Sequence, residues 1–186
     1  MNTQQLVIDC QKKDPEAEKK LFFQFAPKVL TLCRRYIPDE HRAQDMMQEC
    51  FIQVYEKINK YDPAKGEFGA WLFRVSTNVV LKSMRNSKND LPTVYMDVLP
   101  EGEEITEIGF ELIHPEAILK SVRELPSGYR TILNLFIFEN WTHQEISQSL
   151  NISESTSRSQ LARAKKMLKI ILEKKIGHRY ETGMVR

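Results

Sequence analysis

The run from Asn140 to Leu168, NWTHQEISQSLNISESTSRSQLARAKKML, carries the densest chemistry in the sequence. Thr142 and Glu145 stand three apart, the spacing at which a threonine hydroxyl accepts an amide hydrogen bond at a helix start while the glutamate accepts one in return. Asn151 falls where the chain must turn sharply, and asparagine tolerates the left-handed backbone that most residues avoid. Ser153 is placed to cap a second helix, whose first turns offer Ser155, Thr156, Arg158, Ser159 and Gln160, with Arg163, Lys165 and Lys166 behind them. Two short helices joined by a tight turn, the second led by polar side chains, form a helix-turn-helix, which sets the start of its second helix in the major groove of duplex DNA. Hydroxyl, amide and guanidinium groups suit base edges, and the later cations suit phosphates. A structural or protein-binding hairpin would share the caps; the serine-rich turn followed by a basic helix favours DNA.

Catalytic chemistry finds no such footing. There is no nucleophile with a neighbouring base, no paired carboxylate set and no glycine loop to cradle a phosphate, so neither an enzyme, a cofactor nor a small-molecule substrate is expected. Cys10, Cys33 and Cys50 are odd in number, widely spaced and each on an apolar stripe, which suits buried thiols. His41, His114, His143 and His178 are scattered, and no metal site is expected. The longest apolar run, around Ile132 to Phe138, is too short to span a membrane, and the first residues lack the pattern of an export signal, so the expected compartment is the cytoplasm.

A net charge of +2 hides a strong division. Residues 1–87 carry +3, residues 88–113 carry −6, and residues 114–186 carry +5. The nine Lys/Arg against two Glu after Ser155 are the electrostatic footprint of a nucleic-acid surface.

The elements that position these groups read as helices throughout, because apolar residues recur at three and four spacing and almost no segment alternates. Asp14-Pro15 starts one helix, with Leu21, Phe22, Phe25, Val29, Leu32 and Cys33 as its buried stripe. Pro27 is expected to kink or split it. Asp39 starts the next, with Ala43, Met47, Cys50, Val54 and Ile58 inward and Asp45, Gln48, Glu49 and Glu56 elsewhere on the helix. The turn YDPAKGEF breaks that helix, and Phe68, Trp71, Leu72 and Val75 begin another, whose other side shows Arg74, Asn78, Lys82 and Arg85. Residues 88–113, with Pro92, Pro100, Gly102 and Gly109 among carboxylates, read as a flexible acidic linker. Pro115 and Pro126 then open two further helices before the helix-turn-helix. The expected fold is all-α: two small helical domains, 1–87 and 114–186, joined by the linker 88–113.

Two stretches together resemble the extracytoplasmic-function group of bacterial RNA polymerase sigma factors. AQDMMQECFIQVYEKINKYDPAKGEFGAWLFRVSTNV is similar to the family's second conserved region, and LPSGYRTILNLFIFENWTHQEISQSLNISESTSRSQLARAKKML to its fourth. The resemblance covers nearly the whole chain and implies a promoter-directing subunit of RNA polymerase. It implies that Asp45, Gln48 and Glu49 dock on the polymerase core, and that the loop Tyr61 to Glu67 and the helix beyond it take the minus-ten element. Lys65, Arg74, Asn78, Lys82 and Arg85 are the expected contacts there, with Phe68 and Trp71 in the core. The helix-turn-helix takes the minus-thirty-five element. The resemblance also implies an inhibitory anti-sigma partner, attached to the membrane, and a linker that threads the polymerase.

This chain departs from the family at four positions. Asn140 and Asn151 stand where glycine is usual, Ser157 where an apolar residue is usual, and Gln160 where a basic one is usual, so the promoter sequence read is not legible. The alternative that keeps the fold is a sigma-like decoy or adaptor that binds a regulator without reading DNA; the basic residues of the last helix argue against it. A third alternative, a ligand-sensing regulator, would need a polar cluster in residues 1–87 that the helical pattern does not offer.

Overall fold

A computed structural model describes residues 3–86 and 115–181. The expected linker, 88–113, lies outside the described residues. All regular elements among these are helices, grouped in two compact units.

The first unit contains α1 (Thr3–Gln11), α2 (Pro15–Tyr36), α3 (Glu40–Lys57) and α4 (Phe68–Asn86). The starts of α2 and α3 have a chemical cause. Asp14 caps α2 by accepting from the Glu16 amide at 2.9 Å, with Pro15 in the first turn where its missing N–H is harmless. Asp39 caps α3 through the Arg42 amide at 2.8 Å, and the Arg34 guanidinium at the end of α2 forks onto Glu40 at the start of α3. Pro27 does not split α2, which runs unbroken from Pro15 to Tyr36. The proline ring lies on the exposed side, while Leu21, Phe25, Val29, Leu32 and Cys33 stay buried on the other, so packing holds the helix through the missing hydrogen bond.

α2 packs on α3 and α3 on α4, around Leu21, Leu32, Tyr36, Cys50, Val54, Leu72 and Val80. The Tyr55 hydroxyl donates to the Glu18 carbonyl at 2.8 Å, tying α3 to α2. All three cysteines are free and buried. Burial, helped by the carboxylates of Glu18, Asp14 and Asp9, pushes the Cys10 thiol up to about 11. The Cys33 thiol is pushed up by its hydrogen bond with Cys50 and by burial, so neither is poised as a nucleophile.

Between α3 and α4 the chain makes two short 3₁₀ turns, Ile58–Lys60 and Pro63–Lys65. Asp62 caps the second by accepting from the Ala64 amide at 3.0 Å. Gly66 follows at φ 141°, ψ 179°, a backbone region closed to side-chain-bearing residues. Its carbonyl accepts from the Tyr61 hydroxyl at 3.0 Å, and Tyr61 meets Phe68 edge-on at 5.2 Å. Phe68 is buried and Trp71 half-buried within this aromatic cluster.

The second unit contains α5 (Pro115–Glu124), α6 (Ser127–Leu133), α7 (His143–Leu150) and α8 (Glu154–Glu181). α6 widens into a single π turn, Asn134–Phe138, before the chain reverses through Asn140 at φ 54°. The buried Arg130 donates to the Arg123 and Leu125 carbonyls at 2.8 and 3.3 Å and so closes the end of α5. α8 packs along α5, α6 and α7, burying Leu161, Ala164 and Leu172 against Leu125, Ile132, Leu135 and Ile146 in the core of the unit.

An added Cβ at Gly66 would meet nothing within 4 Å, so the demand for glycine is conformational alone. Gly66→Ala should therefore destabilise the α1–α4 unit by about 1–3 kcal/mol. Hydrogen exchange of the α3 and α4 amides checks this, with exchange in α5–α8 unchanged.

Candidate nucleic-acid interface

α3 turns Asp45, Gln48 and Glu49 outward together, since residues three and four apart share one helix face. One turn further on, the same face carries Ile52, 51% exposed. Sequence reasoning missed it, although the spacing of seven from Asp45 marks it as part of the face. An apolar side chain among carboxylates and an amide suits a protein partner with basic groups around an apolar strip.

α4 presents Arg74, Asn78, Lys82 and Arg85 along one exposed edge about 16 Å long at the helical rise per residue. Lys65 stands apart from them in the turn before α4, exposed, with its ammonium 3.7 Å from Asp62. A groove of about 580 Å³ between α3 and α4 is lined by Glu49, Gln53, Lys57, Asn78, Lys82 and Arg85. It joins the expected polymerase face to the expected DNA edge. A second groove, of about 830 Å³, runs beside the Tyr61–Glu67 turn. Gln4, Gln24 and Lys28 from α1 and α2 help to line it, a contribution invisible in the sequence because it arises only when these helices pack beside the turn.

In the second unit the expected capping box is complete. The Thr142 hydroxyl accepts from the Glu145 amide at 3.2 Å, and the Glu145 carboxylate accepts from the Thr142 amide at 2.8 Å. Asn151 adopts φ 53°, ψ 49° at the end of α7, and Ser153 caps α8 by accepting from the Thr156 amide at 3.0 Å. These caps set the start of α8 at the surface, with Ser155, Arg158 and Ser159 exposed and Thr156 half-buried. Arg158 is paired with Glu154 at 2.8 Å. Lys165 is exposed and Arg163 and Lys166 are half-buried further along.

Gln160 is a correction to the expected set. It is only 4% exposed, because positions 157, 160, 161 and 164 form the inward stripe of α8, and a side chain there cannot enter a groove. The outward stripe passes instead through Ser155, Arg158, Ser159 and Ala162, and Ala162 is exposed. Its methyl group suits contact with a thymine methyl.

The inward stripe also holds Ser157, fully buried. Its Oγ lies 2.9 Å from Nδ1 of His143, the first residue of α7, and the imidazole stacks on Phe136 of the π turn at 4.7 Å and 27°. Lys165 reaches to 5.8 Å from the Phe136 ring centre. Burial, with the charges of Arg158 and Lys165 and against that of Glu154, holds the His143 imidazole below its ordinary 6.5.

Among the described residues no group of three or more His, Cys, Asp or Glu is placed to hold a metal ion, and no helix is long and apolar enough to cross a membrane.

The family Sigma-70 region 2 matches residues 21–89, and Sigma-70, region 4, matches residues 116–168. The chain is 30% identical over 135 residues to the ECF RNA polymerase sigma factor SigM of Bacillus subtilis, covering 72% of this chain and 81% of that protein. It is 26% identical over 174 residues to SigW of the same organism, another ECF RNA polymerase sigma factor, covering 88% and 92%. In fold it is similar to the sigma factor RpoE of Bartonella quintana, solved with the anti-sigma factor NepR, at a TM-score of 0.54 and 17% identity over 83% of this chain and 96% of that one. It is similar also to CnrH, solved with the cytosolic domain of CnrY, at a TM-score of 0.50 and 17% identity.

The lowered His143 pKa fixes the sign of one pH effect. The unfolded chain takes up this proton first as pH falls, so the contribution of His143 to stability is full above about 6.5 and declines below it. Thermal unfolding between pH 5 and 8 should show wild type losing stability in the acid limb relative to His143→Asn, with parallel curves above pH 7.

Proposed function

The chain belongs to the extracytoplasmic-function group of RNA polymerase sigma factors, and from that premise we propose a division of labour between its two units. As a sigma factor it is not an enzyme. It binds RNA polymerase core and directs promoter-specific initiation. The observation that supports this most is the ordered pair of Sigma-70 matches, one on each compact unit, together with the outward polar start of α8.

In this reading residues 1–87 hold the core polymerase and the minus-ten element, residues 88–113 link, and residues 114–186 take the minus-thirty-five element. Asp45, Gln48 and Glu49 meet basic groups on the polymerase, with Ile52 as the apolar contact at their side. Arg74, Asn78, Lys82 and Arg85 follow the promoter strand along α4, and Lys65 meets it at the turn. Single bases must leave the stack before they can be read there, and binding energy for the exposed strand supplies the opening without nucleotide hydrolysis. In the second unit Ser155, Thr156, Arg158 and Ser159 face base edges, while Arg163, Lys165 and Lys166 hold phosphates. Gln160 has no part in it.

The protein works in the cytoplasm, where its polymerase is. Its regulator is an anti-sigma protein, attached to the membrane in the form that the family resemblance implies. Two structurally similar chains were each solved with a bound partner, one of them named an anti-sigma factor, which supports such a partner here.

The test is RNA synthesis by bacterial core polymerase on a pooled promoter library, with and without the protein. Start sites that depend on the protein and share two spaced elements are the expected result; core binding without promoter selection would favour a decoy instead. Glu49→Lys should weaken core binding by at least about tenfold, since like charges across an interface repel strongly. Arg158→Ala should relax preference at one base pair of the upstream element by about 1–3 kcal/mol.

A further inference from the structure

The hydrogen bond between α7 and α8 does more than fill the core. We infer that His143 is a positioning residue for promoter reading: by holding Ser157 it fixes the rotation of the α8 turn that presents Thr156 and Arg158. The inference rests on α8 being the helix that reads the upstream promoter element.

Ser157 lies between Thr156 and Arg158 in the chain and turns inward, fully buried while Arg158 is exposed and Thr156 half-buried. Whatever holds position 157 therefore sets the angle at which its two neighbours leave the helix. Burial of an apolar side chain is non-directional and tolerates a small roll of the helix. A hydrogen bond of 2.9 Å is directional and does not. Base readers must be held to within about 0.5 Å and 10–20° to select a sequence, which is the scale of such a roll.

His143 is itself held on two sides. Phe136 of the π turn stacks on the imidazole at 4.7 Å, fixing its plane. The capping box at Thr142 and Glu145 fixes the backbone immediately before it. Constraint thus passes from Phe136 to His143 to Ser157, and from there to Thr156 and Arg158. A neutral ring serves in either tautomer, since Ser157 donates to a bare Nδ1 or accepts from a protonated one. Burial and the cations Arg158 and Lys165 from α8, opposed by Glu154, favour that neutral form.

Two substitutions separate the bond from the stack. His143→Phe keeps a ring on Phe136 and loses the hydrogen bond; His143→Asn keeps a polar group near the Nδ1 position and loses the stack. The measurement uses full-length protein with core polymerase on promoters drawn from the library. It reads the ratio of transcripts from an intact upstream element to those from a scrambled one. Ser157→Ala and His143→Phe should each lower the ratio roughly three- to tenfold, the worth of one hydrogen bond. Their combination should be no worse than either alone, as expected for two halves of one contact. His143→Asn should recover most of the ratio, with core binding at the wild-type level in all variants. A wild-type ratio in Ser157→Ala, equal ratios in His143→Phe and His143→Asn, or ratios that fall only in step with core binding would each overturn the inference. A ratio of one in the wild type would instead sink the reading of α8 as a promoter-binding helix.

Discussion

Short helices in water leave their end amides and carbonyls without partners, and an eight-residue helix such as α7 has few internal bonds to set against that deficit. The structure answers at five starts with a side-chain oxygen, from Asp14, Asp39, Asp62, Thr142 and Ser153. A single such cap is worth roughly 1 kcal/mol, a tenth or so of the stability of a small domain. Their larger effect is on geometry. Each cap decides at which residue a helix begins and therefore which side chains face outward along it. The acidic face of α3 and the outward polar face of α8 follow from where Asp39 and Ser153 stand.

That is also why much of the site was legible in the sequence. Caps are local, so Thr142 with Glu145, the left-handed Asn151 and the Asp-Pro start of α2 could be read without knowing the fold, and once a start is placed the helical period distributes the rest. Arg74, Asn78, Lys82 and Arg85 share an edge for that reason. What could not be read depended on contacts between elements. Pro27 leaves α2 unbroken because the opposite side of that helix is gripped by α3. Gln160 looked like a continuation of a polar turn, yet the core of the second unit lies on its side of α8. Ile52 and Ala162 went unassigned, because an apolar residue shows itself as part of the surface only through the packing of its neighbours.

The first unit also places opposite demands close together. Glu49 from α3 lines the same groove as Lys82 and Arg85 from α4. A carboxylate near these cations weakens their pull on phosphate while it remains uncovered. If a basic partner covers Glu49, that opposition is removed and the α4 edge becomes more attractive to DNA. In the division of labour proposed above, polymerase binding and strand binding then reinforce one another through charge alone, with no change of shape required.

Arg158 offers a different lesson through its pairing with Glu154 at 2.8 Å. An arginine already engaged on its own helix does not approach DNA empty-handed; it must exchange one anion for another. The home pair is exposed and its hold is weak, about 0.2–1 kcal/mol, whereas a good bidentate contact to guanine is worth about 1–3 kcal/mol. If Arg158 makes the base contact proposed above, that discrimination exceeds what leaving the carboxylate costs. In the proposed reading Glu154 lowers the affinity of every site that engages Arg158 by the same small factor, and leaves the ratio between sites to the bases themselves.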